Sequence, residues 1–179
     1  MVSTITQDIV FTQLSSKTNK AILGQVLFAF IALIIPTVTH KIGLNYLVSQ
    51  PMHWMVIFAG LTYGKLSGTI LGLIIPIASF FLSSMPIATA LPLMIPELVA
   101  YGFISGILKK RITSFGSVFT ALVLGKIVYL GFAYILGRIN DPIIEVVQKT
   151  WGPGLIAMII QVAILPIASG LYIDWTKHD

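Results

Sequence analysis

The chain has 179 residues, of which 56% are apolar and only 9% charged, and its mean hydropathy is +0.96. A water-soluble domain carries about 25% charged residues. Composition therefore places nearly all of this chain in a membrane, with room for about six spans of roughly 20 residues and none for a large soluble catalytic domain. There are no cysteines, which excludes disulfides, thiolate metal sites and thiol nucleophiles.

Residues 1–16 are polar and lack the charged-then-apolar layout of a signal peptide. The predicted helices are about 20–38, 51–64, 66–83, 90–109, 115–137 and 152–173, a single all-α membrane domain over 1–179. Helix 20–38 carries the small residues Ala21, Gly24, Ala29 and Ala32 among bulky ones, a surface on which another helix can approach closely in lipid. Packing within the same chain is the plainer use of such a surface. Residues 40–50 are polar enough for a loop. Pro51 suits a first helical turn, and the run to Gly64 covers only roughly 21 Å, short for a span.

Gly60, Gly64, Gly68 and Gly72 then recur every four residues, a ladder that favours close helix crossings. The stretch GLTYGKLS looks like a phosphate loop and fails as one. Its glycines are four apart rather than five, and Leu66 stands where Ser or Thr is required. Residues 66–96 hold no charge at all; Glu97 then appears inside an apolar run, with Tyr101 one turn later. Lys126 lies near the middle of the fifth run with Tyr129 at i+3. Residues 138–150 are expected to be a polar loop, and Trp151 and Gln161 belong to the sixth run.

Six spans place both termini on one side. The flanks on that side hold Lys17, Lys20, Lys65, Lys109, Lys110, Arg111 and Lys177, against Lys41, Arg138 and Lys149 on the other. The positive-inside rule puts the termini in the cytoplasm. Most of the net charge of +5 is thus a topology signal, and no nucleic-acid partner is expected. In this orientation Asn45, His53, Trp54, Glu97, Tyr101, Tyr129, Trp151 and Gln161 fall in the outer half, with Lys126 near mid-depth.

A buried Glu or Lys needs a partner or water. Glu97 and Lys126 either pair with each other or line an outward pocket for a polar solute. His53 and Trp54 serve equally as pocket wall or interfacial anchor. His40, His53 and His178 have no metal-like spacing, so no metal or cofactor is expected. No nucleophile–base arrangement points to an enzyme.

The ordered segments PMHWMVIFAGLTYGKLSG, LIIPIASFFLSSMP, LPLMIPELVAYGFISGILKK, LGKIVYLGF and WGPGLIAMIIQVAILP resemble the substrate-binding S components of energy-coupling factor (ECF) vitamin transporters, over about residues 20–170. The resemblance implies a multi-pass protein of a bacterial cell membrane that captures a vitamin or related micronutrient near its outer face. It would dock on a transmembrane coupling protein and two ATP-hydrolysing subunits, with no ATPase activity of its own. It implies substrate contacts from His53, Trp54, Glu97, Tyr101, Lys126, Tyr129, Asn45 and Gln161, with loop 40–50 helping to close the pocket. It also implies a docking face from Ala21, Gly24, Ala29 and Ala32, although their row is interrupted by Gln25 and Phe28. Similar proteins often have Arg where Lys126 stands, and Lys lacks the planar fork for bidentate carboxylate binding. A mid-depth cation favours an anionic vitamin, pantothenate first, with cobalamin- or pyridoxine-type solutes next. The alternative is a stand-alone proton-coupled secondary transporter using Glu97.

Overall fold

The computed structural model describes residues 19–41, 50–84, 86–152 and 154–178. These form seven helices: α1 Asn19–Lys41, α2 Pro51–Tyr63, α3 Lys65–Ser83, α4 Leu91–Leu108, α5 Ser114–Ile135, α6 Ile143–Trp151 and α7 Leu155–His178. There is no strand among the described residues. Four helices are long and apolar enough to cross a membrane: Lys65–Ser83, Leu91–Leu108, Ser114–Ile135 and Leu155–Thr176. Their outward surfaces carry large apolar side chains such as Leu66, Phe81, Phe119, Ile159 and Leu171. A surface of that kind suits lipid, where apolar exposure costs nothing and every backbone group is satisfied inside its own helix.

Helix ends follow local chemistry. Pro51 opens α2 where its missing N–H is not needed. Gly64, with φ +95°, is the single residue between α2 and α3, in a conformation that side chains rarely adopt. Thr113 caps α5 by accepting from the Gly116 N–H at 3.2 Å. α2 has 13 residues, too few to span a full bilayer. It is the central helix, in contact with α1, α3, α4, α5 and α7.

Contacts fix the directions of the helices. His53 of α2 lies by Glu97 and Tyr101 of α4, while Gly60 faces Gly102 and Gly106, so α2 and α4 run parallel. Gly68 lies on Gly102 and Gly72 on Leu98, so α3 and α4 are antiparallel. Gln50 lies by Gly154 while Tyr63 bonds Tyr172 through their hydroxyls at 2.8 Å, so α2 and α7 run parallel. The bundle therefore has two distinct ends. One holds Gln50, His53, Glu97 and Gly154. The other holds Tyr63, Lys109 and Tyr172, with Phe28 and Phe58 edge-on to each other and to the Tyr172 ring.

The glycine ladder works as backbone contact. A Cβ on Gly68 would sit 2.5 Å from the Gly102 carbonyl oxygen, and one on Gly72 would sit 2.6 Å from that of Leu98. Two expectations are corrected. Gly24 and Ala32 of the small-residue row on α1 turn inward. A Cβ on Gly24 would come within 2.7 Å of the Tyr172 hydroxyl, and Ala32 is fully buried. Small residues here make room for this chain's own aromatics. Ala29 is half-buried against the same core, and the side chain of Ala21 lies outside the described residues.

The second correction concerns 138–150, expected as a loop, where α6 forms. Val146, Val147, Thr150 and Trp151 make its half-buried face, while Ile144, Glu145, Gln148 and Lys149 are exposed. Glu145 stands in the first turn and Lys149 in the last, matching the helix dipole. They pair at 3.4 Å, and Lys149 also bonds Asp141 at 2.8 Å. The bond to Asp141 first, then that to Glu145, holds the Lys149 ammonium above its usual range.

Gly68→Ala is expected to lower stability by about 1–3 kcal/mol through backbone overpacking. Gly131→Ala, where nothing lies within 4 Å, is expected to be neutral or stabilising. Thermal unfolding in detergent compares the two; equal melting temperatures would contradict the ladder's role.

Candidate functional site

Three helices meet at one carboxylate oxygen. Glu97 of α4 is 2% exposed. Its Oε1 lies 2.7 Å from the Lys126 ammonium of α5 and accepts from the Tyr101 hydroxyl at 2.6 Å. The His53 Nε2 of α2 lies 3.8 Å from the same oxygen, too far for a hydrogen bond but close enough to feel its charge. Lys126 is itself buried and sits 5.4 Å from the centre of the Tyr129 ring, within cation–π reach. The His53 and Tyr101 rings stand 5.3 Å apart.

Local sequence explains the arrangement. Glu97 and Tyr101 are one turn apart on α4, so the hydroxyl falls back onto the carboxylate. Pro96 precedes Glu97 and lacks the N–H that would bond the carbonyl four residues earlier. Gly125 provides the seat of Tyr101, since a Cβ there would overlap the tyrosine ring. Gly125 precedes Lys126, so one glycine both admits Tyr101 and sets the lysine beside it. Its place directly before a buried lysine was the sequence signal for it, and it was missed.

The structure thus brings together five of the expected site residues: His53, Glu97, Tyr101, Lys126 and Tyr129. Glu97 and Lys126, expected either to pair with each other or to line a pocket, are paired in the structure. No hydrogen bond joins Trp54 or Gln161 to this cluster, but neither is idle surface. Gln161 on α7 is fully buried with neither amide atom hydrogen-bonded, and the Trp54 indole N–H is buried without a partner. Asn45 lies outside the described residues, as does the rest of 42–49. Gln50 and Trp151, which the sequence places at the outer end without a role in the site, also have a buried and unpartnered side-chain Oε1 and indole Nε1. Both flank a helix start at the same end, and a Gln or Trp beside a Pro or Gly boundary was the available signal.

Comparison with protein families, with curated proteins and with solved structures finds no match for this chain. What is established is therefore, among the described residues, a helical, apolar bundle with four membrane-length helices and a buried polar cluster around Glu97.

Removing one member of the Glu97–Lys126 pair leaves an uncompensated buried charge. Lys126→Met and Glu97→Gln alone are each expected to cost about 3–5 kcal/mol, and the double variant to recover most of it. Thermal unfolding of the four proteins measures the cycle; additive losses would rule out the coupling.

Proposed function

We propose that this chain is the solute-binding membrane subunit of an ECF-type vitamin transporter, with six membrane segments and both termini cytoplasmic. The observation that carries the reading is the buried polar cluster around Glu97, built at the same end of the bundle as the unpartnered groups of Gln50, Trp54 and Trp151. Polar groups at membrane depth are costly and mark solute or ion paths. The segments quoted above, which resemble S components, and the excess of Lys and Arg at the opposite end both support it.

On this reading the cluster end faces outward, and a coupling protein with two ATP-hydrolysing subunits drives uptake in a bacterial cell membrane. With Gly24 and Ala32 turned inward, the α1 surface left for the coupling protein carries Ile22, Val26 and Phe30. An anionic vitamin such as pantothenate is favoured only where the mid-depth cation meets the solute. Lys126 is paired with Glu97, so that ground is removed, and the solute's charge is argued separately below.

The contact of His53 and Tyr101 with a buried carboxylate also favours a second reading, a proton-coupled transporter working through Glu97. The two differ in what drives uptake. Purified chain titrated with a panel of water-soluble vitamins is expected to bind one member with Kd below about 1 μM. In proteoliposomes, uptake is expected to require the ATP-hydrolysing partners and to ignore a pH gradient. Absence of any such binding would overturn the proposal, and gradient-driven uptake by the chain alone would favour the second reading. Since the chain has no native cysteine, Lys110→Cys reports orientation directly. A thiol reagent that cannot cross the membrane is expected to label it only from the cytoplasmic side.

A further inference from the structure

The two ends of the bundle differ in how their polar groups are satisfied. At the Tyr63 end Tyr63 pairs with Tyr172 and Lys109 donates to Ser114, and the Thr62 hydroxyl alone among the buried side-chain polar atoms described there has no hydrogen bond. At the Gln50 end the two buried charges are paired with each other, whereas several neutral groups are not. The Trp54 and Trp151 indole N–H groups, the Gln50 Oε1 and the His53 ring nitrogens are buried without hydrogen bonds, as is the Gln161 amide two helical turns along α7 from Gly154. A buried polar group without a partner costs free energy and calls for one from outside the chain.

These groups sit on α2 and α7, whose starts abut, and at the end of α6, which leads into α7. Gln50 stands one residue before α2, and its Nε2 lies 2.7 Å from where a Gly154 Cβ would be, one residue before α7. Trp54 is one turn after Gln50, and Trp151 is three residues before Gly154. Gln161 lies, by its register between the Gln50–Gly154 and Tyr63–Tyr172 contacts, at about the level of Trp54. His53 joins this wall to the Glu97 cluster.

We infer that the site takes an uncharged solute bearing an amide or a ring-nitrogen heterocycle, held by neutral donors and acceptors of α2 and α7 and not by the Lys126 charge. The inference rests on the solute-binding reading above. The unpartnered set contains two donor-only indoles, an acceptor oxygen and an amide and an imidazole that do both, which matches a solute that accepts and donates from one flat face. The charges offer nothing comparable. Lys126 and Glu97 cancel, so a carboxylate entering beside them would leave the buried site with one net negative charge, a costly state in low dielectric. Gln161 and Trp54 are direct solute contacts on this account, with Trp151 and Gln50 at the entrance.

The test uses the chain's own fluorescence. Of its three tryptophans, Trp54 and Trp151 are at this end and Trp175 is at the other, exposed. The purified full chain in detergent is titrated with matched pairs that differ in charge: nicotinamide against nicotinate, and panthenol against pantothenate. The remaining water-soluble vitamins follow. The neutral member of a pair, or another uncharged vitamin, is expected to quench saturably, and its anionic counterpart to bind at least about tenfold more weakly. Gln161→Leu is expected to weaken that binding by about tenfold or more, while its melting temperature stays level or rises because an unpartnered polar group has been removed. Trp175→Phe is expected to leave the quench intact.

Tighter binding of the anionic members overturns the neutral-solute inference and leaves the transport reading standing. Gln161→Leu with unchanged affinity and unchanged melting temperature overturns the contact, and would mean that Gln161 meets only water. No saturable response from any vitamin overturns this inference together with the reading it rests on.

Discussion

Glu97 is a carboxylate inside an apolar bundle, and it stays charged there only if other side chains replace the water it has lost. Those side chains come from its own helix, through Tyr101, and from α5, through Lys126, with the His53 ring of α2 at 3.8 Å. An ion pair at 2.7 Å tolerates little displacement, so the helices carrying the pair must be held close. Glycines do this. Gly68 and Gly72 bring α3 onto α4 with backbone against backbone, Gly60 brings α2 onto α4, and Gly125 lets the Tyr101 ring lie flat on α5. The ladder of small residues and the charged cluster are two parts of one constraint. In lipid, where apolar side chains gain nothing from meeting each other, close backbone packing and buried polar contacts are the forces left to fix helix positions.

The same constraint makes the two ends unlike. α2 is short, and the single residue Gly64, at φ +95°, joins it directly to α3. At that end the chain closes tightly, with the Tyr63–Tyr172 hydroxyl pair and the aromatic rings of Phe28 and Phe58 filling the space beside Gly24. At the other end α2 starts at Pro51 next to the start of α7, with α6 beside it. Here polar atoms are enclosed without being paired. A bundle built only for stability would pair or remove such groups, because each unpaired one costs about 1–3 kcal/mol. One end thus supplies stability, and the other gives some of it up.

Much of this was legible in the chain itself. Helix positions followed from apolar runs bounded by Pro, Gly and charge, and the ladder from its period of four. Glu97 with Tyr101 and Lys126 with Tyr129 followed from helical spacing. What could not be read was tertiary. Glu97 and Lys126 lie on different helices, and nothing in sequence spacing says which helices touch, so spacing leaves both pairing and ligand contact open. Gly24 and Ala32 show the same limit, since a row of small residues serves an internal or an external neighbour alike. The helix Ile143–Trp151 was hidden for another reason. It has nine residues, and two adjacent valines and a polar flank obscure the period of its half-buried face.

The identity of the cation at position 126 bears on what it does. An arginine holds a carboxylate through a planar fork that needs two acceptor oxygens in line. Here the Tyr101 hydroxyl and the cation share a single oxygen, Oε1, with the Tyr129 ring on the cation's flank. That geometry suits a compact ammonium, which needs no second oxygen and leaves the tyrosine its bond. A cation meant to grip a solute's carboxylate would gain from the fork and from freedom to face the solute. Lys126 has neither: its charge is spent on Glu97 and its position is set by Gly125 and Tyr101 on one side and Tyr129 on the other. Its work is to keep Glu97 charged and in place. Glu97 in turn holds Tyr101 by a hydrogen bond and faces the His53 ring across 3.8 Å, so the pair fixes the polar centre of three helices.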